Sequence, residues 1–377
     1  MEEKLIYTCA LSSLFEFRPA LARAIMDEFT NLKDFFSLPI AQLETFLKGN
    51  EHYLQQLKSG DLLKKAESDV HWYLSKGVEI ITIDNPQYPK LLAEVGDAPI
   101  VLYYKGNAKL FSKYSLSFVG TRLASSYGRQ MCIKLLEDLC NMGYRPQIIS
   151  GLAFGIDAQA HKAALDLGLE TIAVLPCGID TIYPSLHRNL AKSIIAQGAV
   201  ITEQQKGAAP LRLNFIRRNR IIAAMTKALI IVESRVKGGA MLTVEYANNY
   251  SRDVLAVPGR ITDINSFGCN YLISKNVAHI CNNAQKIIDV LGWDRDVSIA
   301  NISSEVSMQT NLFSFDHKEK EKILLAINYK SPVNIDYICN VCDIGFEQVS
   351  GILLELELEG RIKTCACDGF IRIKNNY

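Results

Sequence analysis

The sequence contains no uninterrupted apolar run that approaches the ~20 residues of a membrane-spanning helix. It also shows no secretory signal pattern, so we expect a cytoplasmic protein without a membrane segment. Hydrophobic residues make up 49% and charged residues 21% of its 377 residues, which is typical of globular chains. A chain of this length is expected to fold into about two or three domains.

Cysteine is present but lacks a disulfide or metal pattern. The ten cysteines are scattered and lie mostly inside apolar runs, so we expect buried, reduced thiols. Two close pairs occur late in the chain, Cys339 with Cys342 and Cys365 with Cys367. The first pair falls in a predicted helix and the second in predicted strands, unlike the two knuckle turns of a zinc ribbon. We therefore predict no metal site.

The common nucleotide motifs are absent, both the Gly-x-Gly-x-x-Gly motif of dinucleotide sites and the Walker phosphate loop. The first strand-to-helix turn instead contains Gly120 and Arg122, and Ser150 rather than an acid ends the next strand. Asp157 and His161, four residues apart, are interpreted as a helix-capping acid and a packed histidine. Nothing else has the spacing of a catalytic constellation, so we expect no catalysis and no cofactor.

One class of enzyme is the alternative to a protein without catalytic activity. The stretch from Lys237 to Glu245 resembles the Gly-Gly-x-Gly-Thr-x-x-Glu turn of phosphoribohydrolases that act on nucleotides. The match is out of register, because Thr243 comes one residue late and a glycine is missing. A nucleotide-processing enzyme that uses the same anion site is therefore our second hypothesis.

Acidic residues are absent from residues 204–232, although the net charge of the whole chain is only +1. A nucleic-acid interpretation therefore depends on a local basic patch and not on bulk charge. The basic residues of this acid-free stretch are Lys206, Arg212, Arg217, Arg218, Arg220 and Lys227. We predict that the four arginines contact a polyanion. The alternative for the last three is structural pairing with a carboxylate such as Glu203 or Glu233.

Apolar runs rich in isoleucine and valine alternate with helical patterns over residues 76–297. Continuous apolar strands are typical of parallel sheets that are buried on both faces. We therefore predict an α/β core, a Rossmann-like, doubly wound and mostly parallel sheet. The predicted strands are 78–83, 115–119, 147–150, 171–175, 199–202, 228–232, 254–257 and, at an edge, 277–280.

The flanking regions predict two smaller domains. Residues 1–75 have helical spacing of apolar residues, which indicates a small SAM-like bundle of four or five helices. Residues 298–315 are polar and serine-rich, a predicted linker. Residues 316–377 show three helices and then two short strands, a winged-helix pattern. Its predicted recognition helix, 346–358, carries three glutamates and no lysine or arginine, so we expect it to contact protein and not a DNA groove.

Two strand-to-helix turns predict an anion site at the carboxyl edge of the sheet. Gly120 and Thr121 follow one strand; Ser150, Gly151 and Gly155 end or follow the next. Glycine lets backbone N–H groups approach an anion, and the N-terminus of the following helix favours negative charge. Ligands of such sheets bind beyond the carboxyl ends of the strands, so we expect the arginine-rich segment to face these turns.

Ordered motifs across most of the chain resemble the DprA (Smf-type) family of DNA-processing proteins. They are Tyr88-Pro89, Leu102-Tyr103, Val119-Gly120-Thr121-Arg122, Ser150 to Ala158 with His161, Gly178-Ile179-Asp180, Tyr183-Pro184, Phe215 to Ala223, and Ala256-Val257-Pro258-Gly259. The resemblance implies a Rossmann-like domain that binds single-stranded DNA and forms a homodimer. It also implies delivery of the strand to the RecA recombinase in natural transformation or general recombination.

The same resemblance implies which residues contact DNA. Arg122, Arg212 and Phe215 match pocket positions of the family, and Arg252 matches another basic position. Lys237 lies at the same predicted edge of the sheet. Arginine forks suit phosphates and a phenylalanine face suits a base, although Phe215 has the alternative of a core position.

Three positions depart from the family's usual pattern. Ile216 replaces a proline, Phe154 replaces an arginine in the Ser-Gly turn, and Ala240 stands where a hydroxyl is common. Phe154 removes a positive charge and adds a stacking surface. We expect these departures to change affinity for DNA and not the fold.

Overall fold

The computed structural model describes residues 2–16, 18–47, 50–293, 317–328, 331–365 and 369–373. They fall into two units, Met1–Asp294 and Arg295–Tyr377, each described below by itself. The predicted linker, 298–315, lies outside the described residues.

Six helices form the N-terminal bundle, one more than the upper number we expect from the sequence. They are α1 (Glu2–Leu14), α2 (Pro19–Glu28), α3 (Leu32–Phe36), α4 (Ile40–Phe46), α5 (Glu51–Ser59) and α6 (Asp61–Ser75). Pro19 opens α2, where its missing N–H costs no hydrogen bond. The short α3 is easily missed in the sequence; the side chain of Asn31 caps it by accepting a hydrogen bond from Lys33 N.

A nine-stranded sheet forms the centre of the first unit. Its strands are β1 (Glu79–Thr82), β2 (Val101–Gly106), β3 (Ser115–Val119), β4 (Gln147–Ser150), β5 (Thr171–Val174), β6 (Ala199–Thr202), β7 (Ala228–Ile231), β8 (Asp253–Ala256) and β9 (His279–Ile280). Their order is β1-β2-β6-β5-β4-β3-β7-β8-β9. The seven strands from β6 to β9 are parallel, which confirms the predicted mostly parallel α/β sheet. Strand β2, which was not predicted from the sequence, joins β1 to β6 by antiparallel pairing.

The helices of this unit connect the strands and cover the sheet. They are α7 (Lys90–Ala93), α8 (Ser126–Asn141), α9 (Ile156–Asp166), α10 (Arg188–Gln197), α11 (Arg212–Ala224), α12 (Gly239–Asn249), α13 (Phe267–Ser274) and α14 (Ala284–Leu291). From β3 the chain runs through β4 and β5 to β6, then returns to β7 on the other side of β3. A crevice forms where the strand order reverses, between the carboxyl ends of β3 and β7.

The bundle packs on the antiparallel edge of the sheet. Tyr73 of α6 stacks on Tyr103 of β2, with ring centroids 4.3 Å apart, and both rings are fully buried. The hydroxyl oxygen of Tyr73 accepts a hydrogen bond from the backbone N–H of Lys206 at 2.6 Å. This contact ties the bundle to the segment that leads into α11.

The second unit contains α15 (His317–Ala326), β10 (Val333–Asn334), α16 (Ile335–Cys342), α17 (Phe346–Leu358), β11 (Ile362–Cys365) and β12 (Gly369–Arg372). Three helices against the antiparallel sheet β10-β12-β11 confirm the predicted winged helix. Two of the glutamates on α17 have partners within the unit: Glu355 pairs with Lys320, and Glu357 accepts hydrogen bonds from Thr364.

None of the helices that the structure describes is long and apolar enough to cross a bilayer. Among the same residues no group of three or more histidine, cysteine or acidic side chains is placed to hold a metal ion. Cys367, from the second cysteine pair, lies outside the described residues.

Replacing Tyr73 with phenylalanine tests the joint between bundle and sheet. Tyr73→Phe keeps the ring stack but leaves the Lys206 N–H without its acceptor, so we expect the free energy of unfolding to fall by about 1–2 kcal/mol. Urea unfolding followed by circular dichroism measures this change. Tyr53→Phe is the matched control, because the Tyr53 hydroxyl has no hydrogen-bond partner among the described residues. Equal losses in both variants would contradict this role for the Tyr73 hydroxyl.

Candidate functional site

A cleft of about 630 Å³ opens where the strand order of the sheet reverses. One wall is the turn after β3, Gly120–Arg122, together with Ala153 of the turn after β4. The turn after β7 contributes Ser234 and Arg235, and α11 forms the opposite wall. The prediction of a site at the carboxyl ends of the strands therefore coincides with a cleft in the structure.

Helix α11 divides the arginine-rich segment between two environments. The side chains that line the cleft recur at helical spacing along it: Arg212, Phe215, Ile216, Arg218, Asn219 and Ile222. Arg217 and Arg220, three residues apart, are not among them. No helix was predicted here from the sequence, so the arginines could not be assigned to different helix faces.

Arg122, Phe215 and Tyr183 form an aromatic and cationic cluster in the cleft. The guanidinium carbon of Arg122 lies 5.2 Å from the centre of the Phe215 ring, a cation–π contact. Tyr183 meets the same ring nearly edge-on, with centroids 5.4 Å apart and planes at 75°. Phe215 is half-buried and lines the cleft, so it does not occupy the alternative core position.

The structure corrects the predicted role of the Ser-Gly turn after β4. Its donors point inward: the Gly151 and Ala153 N–H groups interact with the buried carboxylate of Asp157, and the Ser150 hydroxyl donates to the Phe118 carbonyl at 2.6 Å. Ser150, Gly151 and Gly155 do not line the cleft, although Gly155 lines a neighbouring groove beside Phe154. A buried carboxylate needs hydrogen-bond donors, and the neighbouring turn provides them, so they are not available to an external anion.

Gly120 and Thr121 do line the cleft, but the Thr121 N–H is also engaged. It donates to the Glu233 carbonyl at 2.7 Å, and the Thr121 carbonyl accepts from Ile156 N. Gly155 packs against the Thr121 carbonyl so closely that a Cβ there would overlap with it, and its φ of +78° suits glycine. In the cleft, an anion would therefore be bound by cationic side chains. The turns hold the backbone that carries these side chains in place.

Buried ionisable groups lie directly behind the cleft. The guanidinium of Arg218 contacts Gly151, donates to the Val174 carbonyl and lies near Asp157. Burial lowers the pKa of Arg218 to about 10 and raises the pKa of Asp157 above its ordinary value, against the opposing effect of the arginine. Arg218 therefore stays charged at neutral pH. It lines the cleft and also contacts the turn after β4, which forms part of the cleft wall.

His161 has a separate environment from Asp157. Its Nδ1 lies 2.7 Å from the hydroxyl of Thr171, which itself donates to the Ile148 carbonyl. The imidazole must therefore donate from Nδ1, and its buried Nε2 has no partner among the described residues. Burial, with the nearby Arg218 charge, lowers the pKa of His161 to about 3. This arrangement fits the interpretation of a packed histidine.

Two predicted DNA contacts have structural partners instead. Arg220 is buried in an ion pair with Glu203 and donates to the Asp97 carbonyl, as the pairing alternative proposed. Arg252 donates to the Leu91 carbonyl and to Glu94 at 3.2 Å. Neither side chain lines the cleft, because the backbone directs both towards the α7 side of the sheet. The structure thus does not support phosphate contacts from these two arginines.

The remaining basic positions differ in exposure. Arg217 is half-buried on the outer face of α11, near Glu16 of the bundle, and Lys237 is exposed beside the cleft without lining it. Arg235, which was not predicted from the sequence, is exposed and lines the cleft. Its position in the sequence could have predicted this, since Arg235 follows strand β7 much as Arg122 follows strand β3. Tyr183 was noted only as part of a motif.

Comparison with known proteins assigns the chain to a family. The profile described as DNA recombination-mediator protein A matches residues 79–292, and that of the DprA winged helix domain matches residues 316–366. The chain belongs to the DprA family. A curated relative, protein Smf of Escherichia coli (strain K12), is 36% identical over 319 residues that cover 82% of each chain.

Solved DprA structures share the fold. DprA of Streptococcus pneumoniae superposes with a TM-score of 0.63 at 30% identity, over 74% of this chain and 95% of that one. DprA of Helicobacter pylori, whose structure describes the single-stranded DNA binding mode of that protein, gives a TM-score of 0.51 at 31% identity, over 57% and 97%. The predicted family is therefore confirmed.

Stability measurements should separate the structural arginine from the exposed one. Arg220→Ala leaves Glu203 buried and unpaired, so we expect a loss of about 3–5 kcal/mol in the free energy of unfolding. Arg122→Ala removes an exposed side chain and should cost less than about 0.5 kcal/mol. The double variant Arg220→Met/Glu203→Leu should recover most of the loss, because no unpaired charge remains. Urea denaturation measures all three, and equal effects of the two alanine variants would contradict the assignment.

The low pKa of His161 predicts a pH dependence of stability. The unfolded chain binds a proton on this histidine below about pH 6.5, whereas the folded chain does so only near pH 3. Stability should therefore fall as the pH falls through this window. His161→Asn keeps a donor towards Thr171 but cannot titrate, so between pH 7 and pH 4.5 it should lose about 2 kcal/mol less than the wild type. If the free energies of unfolding of the wild type and His161→Asn changed in parallel with pH, this role of His161 would be contradicted.

Proposed function

We propose that this chain binds single-stranded DNA in the cleft between β3, β7 and α11. The observation that carries the proposal is the cluster of Arg122 over the Phe215 ring, with Tyr183 against its edge, in an open cleft that also contains Arg212 and Arg235. The H. pylori relative, whose structure describes binding of single-stranded DNA, supports the same class of ligand.

The chemistry of the cleft suits an unpaired strand. Guanidinium groups provide forked donors for phosphates, and an aromatic face accepts a base that is not stacked in a duplex. No ion pair among the described residues involves Arg122, Arg212 or Arg235, so their charges remain available to a ligand. An aromatic surface flanked by such cations provides both stacking and phosphate contacts.

We further propose that the protein acts without catalysis or a cofactor. The candidate acid of the cleft, Asp157, is held by the donors of the turn after β4. In the phosphoribohydrolase-like stretch, Thr243 lines the cleft while Glu245 is exposed and does not. The two side chains that this motif would bring together are therefore separated.

Membership of the family supports a proposal about the finer role. We propose that the protein acts in the cytoplasm as a homodimer and delivers the bound strand to the RecA recombinase during natural transformation or general recombination. Membership of the DNA recombination-mediator protein A family supports these steps.

Anisotropy of labelled single-stranded and duplex oligonucleotides across a salt series tests the binding site. Arg122→Ala should make the log–log salt slope shallower by about 0.7 for the single strand, the value for one phosphate contact. Phe215→Ala should weaken binding by about 1–3 kcal/mol with little change of slope, because stacking releases no counterions. We expect the wild type to prefer the single strand.

Matched controls lie at the opposite edge of the sheet. Arg145 and Phe111 are exposed and precede β4 and β3, so Arg145→Ala and Phe111→Ala should bind like the wild type. The proposal is wrong if the cleft variants behave like these controls. Release of free base from nucleoside monophosphates would instead favour the nucleotide-processing enzyme.

A further inference from the structure

We propose that a second groove beside the cleft, formed around Phe154 and His187, is a base-stacking subsite through which the single strand continues. This inference rests on the proposed function, because it extends the path of the same ligand. The groove has a volume of about 490 Å³, and Arg122 lines both it and the cleft. Ala153 and Phe154 are adjacent in the chain, and the first faces the cleft while the second faces the groove.

Two aromatic rings, Phe154 and His187, lie in the groove beside the smaller apolar residues Leu123, Ala124 and Ala158. Phe154 is 41% exposed, so its ring is accessible to a ligand. Its ring meets the imidazole of His187 with centroids 4.9 Å apart and planes at 66°. His187 is itself fixed, since its Nδ1 lies 2.8 Å from the Leu152 carbonyl oxygen. The two rings therefore form a surface of fixed orientation on which a base can stack.

Cations surround this aromatic pair. Arg122, Arg129 and Lys162 line the groove, and all three are exposed. Arg129 is oriented by a hydrogen bond from its guanidinium to the Ala124 carbonyl. No acidic side chain is among the described residues that line the groove, and none of the ion pairs between described residues involves Lys162. The groove thus repeats the composition of the cleft: aromatic rings bordered by uncompensated positive charge.

An unpaired nucleic-acid strand is the ligand that matches two adjacent sites of the same composition. A mononucleotide would need one such site, whereas a polymer has a phosphate and a base at every step. Because Arg122 faces both sites, a phosphate bound there can connect a base on Phe215 with later bases in the groove. A duplex does not offer free base faces to Phe154, so the subsite should add affinity for the single strand alone.

The test compares short and long oligothymidines, of about 5 and about 20 nucleotides, chosen to fill the cleft alone or both sites. Phe154→Ala should weaken binding of the long strand by about tenfold and that of the short strand by less than about twofold. Phe154→Trp should retain the affinity of the wild type. Lys162→Gln should reduce the salt slope of the long strand by about 0.7, while Lys192→Gln, an exposed lysine on α10 that does not line the groove, should leave it unchanged.

A second readout reports stacking directly. The base analogue 2-aminopurine, placed stepwise along the long strand, should be quenched at one position by Phe215 and at a separate position by Phe154, and Phe154→Ala should restore fluorescence only at the second. Equal losses for short and long strands in Phe154→Ala, or behaviour like the Phe111→Ala control, would overturn the subsite and leave the cleft assignment intact. Failure of the wild type to bind any single strand would overturn both proposals.

Discussion

The guanidinium of Arg218 is buried between the two walls of the cleft, and the geometry of the site depends on it. It packs on Gly151 of the turn after β4 and lies near Asp157 at the start of α9, while its own helix, α11, forms the opposite wall. A side chain at position 151 would displace this guanidinium, so the glycine serves packing and not an external anion. Since α11 is held in this way, Phe215 keeps a fixed position relative to Arg122 across the cleft.

The helical phase of α11 assigns different roles to neighbouring arginines. Arg212 and Phe215 project towards the open cleft, Arg218 projects beneath it, and Arg220 turns away to pair with Glu203. Substituting one of these arginines thus changes either ligand contact, cleft geometry or core stability. The number of arginines in a sequence segment therefore does not give the number of phosphate contacts, because some of the arginines are buried and orient the others.

Most of the sheet could be predicted because its parallel strands are continuous apolar runs between turn residues. Strand β2, which lies between β1 and β6 and pairs antiparallel with both, was missed although most of its residues are apolar. Helix α11 was missed because basic and apolar residues occupy both of its faces. The cleft residues Arg122, Arg212 and Phe215 were predicted from turn position and resemblance. Arg235 was not. The Gly151 and Ala153 N–H groups of the Ser-Gly turn serve Asp157 and not an anion in the cleft, because a sequence does not show which buried acid will take the donors of a nearby turn.

A net charge of +1 is compatible with a polyanion site because acids close to α11 are paired with other cations. Glu203 and Glu94 are paired with Arg220 and Arg252 on the far side of α11, so the opposite charges cancel locally. Exposed acids more than a Debye length away, about 8 Å at physiological salt, contribute little to the potential in the cleft. The uncompensated cations around the cleft and the groove therefore set the field that a strand meets, and the charge of the whole chain is a poor guide to it.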